Sequence, residues 1–560
     1  MTADQQERHV FRLATPISSV STFCRSVVNH VFPSAFWGGV AIGKLNRTRI
    51  LMAIDHFVRL RRYESMTLQD VLQNIKISAI TWLNHPTHQD GQKMSSTDHE
   101  KRRELLAEVV YYLFDSFLIP LISSTFHVTE SSAHRNQLFY FRHDVWKYLS
   151  EPALSEMRTT MFEELKPNAL RSLLTRRTLG TSRVRLLPKD SGLRPIINLR
   201  RRVMALVNGK MALGKSINSA MTPVFHVLNF EKSRQPGKLG SSIFSANEIY
   251  PRLQTFRSHL KDQGVLGKPL YFAKADVRSC FDTIPQGALL QVIKKLLVAD
   301  EYAIGRYAEA KIINRRHFEQ AGVDPKVVWK FHGKALPAGQ DMTLSQLLQE
   351  LEVDDKPGSV YVDSVVRQFE GRKKIVNLLE EHVQRNLVQI GKKYYRQKIG
   401  IPQGSIVSTL LCSLFYGELE QKMLGFTKEG ETTLLRLIDD FLLITTNKNL
   451  AVQFVEVLHR GIAEFGVSIK KTKSRVNFDM DIDGEPMTKL PAVTDFPWCG
   501  NAINTVSLDI SKDKERRITS SEFSSITVLY SILTGALQIQ SRPSPWSTRS
   551  SRVRRSTARY

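Results

Sequence analysis

Apolar residues recur near helical spacing through much of the first 150 positions. Leu68, Val71, Leu72, Ile75 and Ile80 fall on one face and lead into Trp82, and a second helical run passes through Leu105, Val109, Leu113 and Phe117. Between them the polar stretch 84–103 predicts a loop. FHVTE (126–130) and LFYFRHDVW (138–146) are rich in Thr, Val and aromatics, which predicts a small hairpin inside a helical domain. From 155 to 290 helical and strand-like segments alternate. Two short strands, Arg183 to Leu187 and Arg194 to Leu199, flank the turn PKDSG (188–192). Leu270 to Val277 predicts another strand, and 291–392 a long connection, partly helical and partly polar. GIPQGS (400–405) follows an extended Tyr395 to Ile399 and opens a helix from about Ile406 to Gly417. Leu434 to Leu437 and Phe441 to Ile444 predict two strands joined by a tight turn.

Composition narrows the class. A chain of 560 residues is too long for one core, so several domains are expected. A net charge of +25 asks for a polyanionic partner, nucleic acid first and an anionic membrane surface second. No apolar run is expected to reach the length of a membrane span, and the N-terminus has no signal-peptide pattern. Cys24, Cys280, Cys412 and Cys499 are far apart and form no CxxC pair. Buried small hydrophobes in a reducing compartment are the expected reading. Residues 541–560 contain six Ser, six Arg and no acid, which predicts disorder.

The tight turn carries the chemistry. Asp439 and Asp440 stand side by side between apolar strands, and like charges so close raise each other's pKa unless a cation intervenes. Asp276 ends another apolar strand, YFAKAD, so any partnership among the three is spatial. Three carboxylates on adjacent strands can hold two divalent ions, for which Mg²⁺ is expected from its preference for oxygen ligands and phosphates. Asp282 is read as structural or capping. Gly404 removes a side chain where a nucleotide must approach, and Gln403 is placed to touch it; a plain helix-capping loop with Ser405 as N-cap is the alternative. Residues 181–210 carry eight Lys or Arg and one Asp, enough to clamp a triphosphate.

Together these segments resemble the reverse transcriptases, and the telomerase reverse transcriptases in particular. DVRSCFDTI (276–284), GIPQGSIVSTLLCSLFYGELE (400–420) and LIDDFLLIT (437–445) are similar to their palm motifs in order. SRVRLLPKDSGLRPIINL (182–199) is similar to their finger motifs, FGVSIKKTKSRVNF (465–478) to a fourth palm motif, and Trp498-Cys499-Gly500 to the telomerase primer grip. VFPSAFWGG (31–39), the run 57–83, FLIPLISSTFHVTESS (117–132) and YFRHDVW (140–146) resemble the telomerase RNA-binding domain. The resemblance implies Asp276, Asp439 and Asp440 as catalytic residues and Asp276, Val277, Asp439 and Asp440 as the metal-binding set. It implies Lys473 near the leaving pyrophosphate, with Lys471 a competitor for that register. Lys189, Arg194, Val277, Phe281, Gln403 and Gly404 become the nucleotide-binding set, with Phe281 a steric gate against ribonucleotides. Phe139, Tyr140 and Arg142, on an exposed hairpin, become RNA contacts.

The implied fold is α+β and multidomain. A mostly helical RNA-binding domain (1–150) precedes right-hand fingers and palm with an antiparallel sheet (151–500), carrying a fingers insertion at about 291–392. A truncated thumb remnant and basic tail (501–560) follow, and no separate DNA-anchoring domain is expected ahead of residue 10. The implied activity is RNA-templated extension of chromosome-end DNA by two-metal phosphoryl transfer, with two Mg²⁺ ions, reduced in strength by the short C-terminus. The implied partners are telomerase RNA, a single-stranded telomeric primer and its RNA–DNA hybrid, dNTPs and telomerase accessory proteins, with no membrane; the implied location is the nucleus, at telomeres. A mobile-element reverse transcriptase and a catalytically impaired RNA-binding isoform stay open as alternatives.

Overall fold

The computed structural model describes residues 10–84, 95–313, 326–340, 359–513 and 552–553, less short gaps at 133, 135, 176, 190–191, 203, 208–209, 429–430 and 492–493. The expected basic tail and most of the thumb remnant, and the middle of the PKDSG turn, lie outside the described residues. The chain divides into two compact units. The first comprises Met1–Ser155, Leu186–Arg194 and Gln540–Tyr560; the second comprises Glu156–Arg185 and Pro195–Ile539.

The first unit is mainly helical. Its elements include α1 (Ile17–Val31), α2 (Val40–Arg59), α3 (Ser96–Tyr112) and, past a π turn, α4 (Ile119–Thr125). Trp37, Ile50, Ile54, Phe57, Leu106, Val110 and Phe114 form its buried centre. Leu68, Val71, Leu72, Ile75 and Ile80 are buried as their spacing predicts. Two expectations shift. The polar segment ending at Arg103 is helix from Ser96, because Ser95 caps it through the Asp98 N–H and its charged side chains face solvent, apart from buried Arg102, which pairs with Asp98 at 2.7 Å. The inward row is Leu106, Val110, Phe114 and Leu118, whereas Leu105 is exposed. Both rows are apolar, so spacing alone could not choose between them. The helical run Ser96–Thr125 also corrects the expectation about membrane-length segments: it holds an 18-residue window of mean hydropathy 1.8. Leu106, Val110, Leu113, Phe114, Leu118 and Ile122 on that run are core residues of this unit.

The expected hairpin is present as β1 (Phe126–Glu130) and β2 (Leu138–Arg142), in antiparallel register from Phe126↔Arg142 to Glu130↔Leu138. Its alternation decides which residues a ligand can reach. Arg142 is exposed and pairs with Asp144 at 2.7 Å, and half-buried Phe139 packs on Phe11 and His134. Tyr140 corrects the expectation of an exposed contact residue. It is 1% exposed, and its hydroxyl donates to the Val58 carbonyl at 2.9 Å. Tyr140→Phe should therefore destabilise this unit by about 1 kcal/mol, seen as a lower urea midpoint, while RNA affinity of the folded protein stays unchanged. A loss of RNA affinity at full stability would restore the contact role.

The second unit is built on sheets. Strands β3 (Phe162–Glu164), β4 (Ser182–Lys189) and β5 (Gly192–Ile197) join two later strands, β11 (Leu387–Ile390) and β12 (Lys393–Gln397), in the order β3-β12-β11-β4-β5. The central sheet uses β6 (Ser242–Ile243), β7 (Tyr271–Asp276), β13 (Thr432–Leu437), β14 (Asp440–Thr445) and β15 (Arg475–Val476), in the order β15-β7-β14-β13-β6. Its pairings are antiparallel apart from the β13–β6 edge. Phe441, Leu442, Leu443 and Ile444 are all buried, as a central strand covered on both faces requires. Helix α9 (Ser408–Met423), buried along most of its length, belongs to the same unit; it starts two residues later than expected because Ser405 Oγ accepts the Val407 N–H at 3.3 Å before the helix opens.

The segment 291–392 differs from expectation in kind. It holds a long three-stranded antiparallel sheet of β8 (Glu301–Ile313), β9 (Lys326–Pro337) and β10 (Ser359–Gly371), with β8 in the middle, followed by α8 (Arg372–Val383). Alanines and glycines among the apolar positions, and adjacent apolar pairs such as Val327-Val328, blur the period of two in these strands. Pairing to two neighbours outweighs that weak local preference.

Candidate active site

The acidic site is assembled by strand register. In the β7–β14 pair Asp276 lies directly opposite Asp440, and Leu437 pairs with Asp440 to close the β13–β14 hairpin. Only Ile438 and Asp439 remain in the turn. Ile438 takes φ +61°, a left-handed conformation that is costly for a β-branched residue and that a two-residue hairpin usually assigns to glycine. The turn is held from the side by the Val277 N–H, which donates to the Asp439 carbonyl at 3.2 Å. As a result one oxygen from each of Asp276, Asp439 and Asp440 lies within 4.8 Å of the others. The 163 residues separating Asp276 from Asp439 in sequence vanish in the sheet.

Burial and mutual repulsion set the electrostatics. Desolvation, followed by the charges of Asp440 and Asp276, pushes Asp439 up to about 7. Asp440 is raised too, by burial and by Asp276, against the opposing pull of Lys274. Lys473 Nζ lies 3.0 Å from Asp276 Oδ2; burial works against its charge, but the aspartates outweigh it and its pKa rises. Lys470 N–H donates to the Asp276 carbonyl and Lys473 reaches the triad, while Lys471 turns to Asp483 and Glu485. Oxygen donors only, set close together and short of countercharge, fit a divalent cation of the hard, oxygen-binding kind.

The other motifs take these positions. Phe281 is half-buried, and its carbonyl accepts the Ile401 N–H at 2.7 Å. Gln403 donates its amide to Asp282 at 2.9 Å, so Asp282 orients the loop residue and does not merely cap a helix. Gly400 takes φ +72°, and a Cβ there would lie 2.5 Å from the Phe281 carbonyl. Gly404 takes φ +103°, and a Cβ there would meet the Ile197 carbonyl at 2.8 Å. The close approach that excludes a side chain at Gly404 is thus made by the chain itself. Trp498 is fully buried, ending β16 (Asp495–Trp498). Cys499 and Gly500 form the turn into β17 (Asn501–Asn504), both at positive φ. The Cys499 thiol donates to Asp440 Oδ2 at 3.6 Å, which brings this turn to the carboxylates. Val277 is buried and meets Ile469 in an isolated bridge. Lys189 is exposed at the end of β4, and Arg194 is half-buried on the neighbouring β5.

Sequence reasoning missed two groups. All four cysteines are buried and in no disulfide, and Cys280 stands against both Cys412 and Asp439. Nothing in the spacing of Cys280 and Cys412 signals that contact. Arg436 and Glu420 were also overlooked, although an arginine inside the apolar strand TTLLRL was a visible signal, since a lone buried charge is untenable.

Comparison with known proteins agrees with this geometry. Residues 19–157 match the family described as the RNA-binding domain of the telomerase ribonucleoprotein complex. Residues 364–500 match the reverse transcriptase (RNA-dependent DNA polymerase) family. The telomerase reverse transcriptase of Canis lupus familiaris is 31% identical over 505 residues, covering 88% of this chain and 43% of the dog protein. That of Mus musculus is 29% identical over 518 residues, covering 90% of this chain and 44% of the mouse protein. The chain therefore spans less than half the length of these relatives. In fold it is similar to a telomerase from Candida tropicalis solved with a fragment of telomeric RNA, with a TM-score of 0.67 at 20% identity, covering 96% of this chain and 76% of that one. Converging carboxylates, ordered motifs, two family matches and relatives of one kind make this chain similar to the telomerase reverse transcriptases along most of its own length.

Proposed function

We propose that the chain is an RNA-directed DNA polymerase that copies an associated telomerase RNA onto the 3′ end of a chromosome-end DNA primer. The observation that carries this reading is the convergence of Asp276, Asp439 and Asp440 at one end of the inner strands of a sheet. These three would hold two Mg²⁺ ions, which when bound supply activation of the primer hydroxyl and neutralise charge on the reacting phosphates. Lys473, already drawn to Asp276, is placed to offer its proton or charge to the leaving pyrophosphate. Gln403, held by Asp282, and Phe281 beside it line the approach of the incoming nucleotide. Lys189 and Arg194 are assigned to its triphosphate. The Cys499–Gly500 turn is assigned to the primer end through its contact with Asp440. In the first unit, Phe139 and Arg142 remain the proposed RNA contacts on the hairpin. Residues 1–150 are assigned to RNA binding and 151–500 to fingers and palm, with the three-stranded sheet as the fingers insertion. A nuclear, telomeric location and telomerase accessory partners accompany this reading.

The test is extension of a telomeric DNA primer on a supplied RNA template, with dNTPs and Mg²⁺. RNA-dependent incorporation that ceases with EDTA supports the assignment; RNA binding with no incorporation under any divalent cation overturns it. Within the same assay Phe281→Ala should reduce discrimination against ribonucleotides by about tenfold or more, because the ring's clash with a 2′-hydroxyl is removed. Unchanged discrimination, measured as the ratio of kcat/KM for dNTP and rNTP, would strip Phe281 of the gate role.

A further inference from the structure

Arg436 is the most unusual charged residue in the central sheet. It lies on β13, three residues before Asp439, and is 0% exposed. All three guanidinium nitrogens are engaged. Nε donates to Glu420 Oε1 at 2.5 Å, Nη2 to the carbonyls of Leu239 and Ser413 at 3.0 and 3.1 Å, and Nη1 to the Ile438 carbonyl at 3.3 Å. The rings of Tyr416 and Phe441 lie 5.7 and 5.6 Å from its central carbon. Glu420 is equally committed, because its Oε2 accepts the Ser241 N–H at 2.6 Å. The surroundings admit no slack. A Cβ on Gly240 would sit 2.1 Å from Glu420 Oε2, and one on Gly417 would sit 2.1 Å from the Lys238 carbonyl.

A buried ion pair is a weak way to gain stability, since an apolar pair of similar volume often does as well. Its geometry suggests a different use. Among its four acceptors, one is the carbonyl of Ile438, the residue at φ +61° that turns the hairpin. The others belong to α9 and to the segment that precedes β6. A planar fork with several donors can tie three backbone segments at once, which a lysine ammonium cannot do with the same directionality.

We propose that Arg436, clamped by Glu420, is a positioning residue of the carboxylate site: it holds the Ile438 carbonyl and so fixes the left-handed turn that aims Asp439 and Asp440 at Asp276. The inference rests on the polymerase reading above, because its catalytic consequence is a misplaced metal-binding turn. Lengthening any arm of the clasp lets the turn relax, and a displacement of about 1 Å at such a site costs on the order of a hundredfold in rate.

The experiment compares wild type with R436M/E420Q, which leaves no unpaired charge and keeps an acceptor for the Ser241 N–H, and with R436K, which keeps charge without the fork. Cooperative thermal unfolding establishes that each is folded. Primer extension should then show kcat lowered by about a hundredfold with the dNTP KM little changed. Hydrogen exchange of the peptide spanning residues 436–441 should be faster by at least about tenfold in both variants, with the β8–β10 sheet unaffected. Near-wild-type kcat, or unaltered exchange in the turn, overturns the proposal. Should the double variant fail to fold, R436K decides by the same two readouts. If wild type itself extends no primer, the polymerase reading falls, and turn exchange alone judges the clasp.

Discussion

Asp439→Ala should yield a folded protein that binds RNA like wild type and incorporates deoxynucleotide at a rate lower by about a thousandfold or more. The size follows from the geometry. Asp439 supplies one of three mutually close ligand oxygens, and no other carboxylate among the described residues joins that cluster. Losing a cation that neutralises charge on reacting phosphates forfeits several kcal/mol of transition-state stabilisation, and each ~1.4 kcal/mol is a factor of ten. The fold should survive, because the substitution removes a buried, mutually repelling carboxylate and leaves only the weakly donating Cys280 thiol without that acceptor. RNA affinity should also survive, since the family match for RNA binding covers residues 19–157 and not the carboxylates. Single-turnover primer extension and a parallel RNA-binding titration measure the two effects separately. Equal incorporation by the variant would remove the catalytic assignment; a parallel loss of RNA affinity would make its inactivity uninformative about metals.

The second large effect is linkage between pH and the divalent cation. Burial and neighbouring charge push Asp439 up to about 7 from an ordinary 3.8. Between those values the folded protein retains a proton that the unfolded chain has released. Stability of the metal-free protein should therefore fall as pH rises from about 4 through 7, and level off above. Cation binding requires the ionised form, so it has the opposite dependence. The metal-activation midpoint should weaken by up to about tenfold for each pH unit below 7 and flatten above that value. Added Mg²⁺ should accordingly raise Tm more at pH 8 than at pH 6. Asp439→Asn removes the titrating group; it should flatten the metal-free profile and raise the metal-free Tm at pH 8, while abolishing the Mg²⁺ response. A midpoint independent of pH between 6 and 8 would contradict the account.

The local strands and turns of the site were legible before any fold was in view. YFAKAD and LIDDFLLIT lie close to the observed β7 and β14, and FHVTE is β1 residue for residue. The strands around the acidic turn were readable because they are largely buried and the turn between them is short, so local pattern and tertiary demand agree. Agreement failed where patterns were degenerate. The two apolar rows of α3 were equivalent by spacing, and only packing chose Leu106 and Val110 over Leu105 and Val109. The strands of the inserted sheet were invisible because their stability lies in pairing between segments distant in sequence. Tyr140 misled for a related reason: alternation in a hairpin tells that one face is inward, but not which one until α2 is placed against it.

Sequence by itself determined the chemistry available to this protein: three acidic residues in apolar strands, a basic surplus, and motifs in an order that names a polymerase palm. Tertiary structure decided how that chemistry is aimed. Register across β7 and β14 places Asp276 opposite Asp440, the strained Ile438 turn brings in Asp439, and Arg436 fastens that turn to α9. Residue identity is a property of one position, whereas a shared electrostatic field is a property of distances between positions. Those distances exist only once strands pair and a buried guanidinium finds its carbonyls.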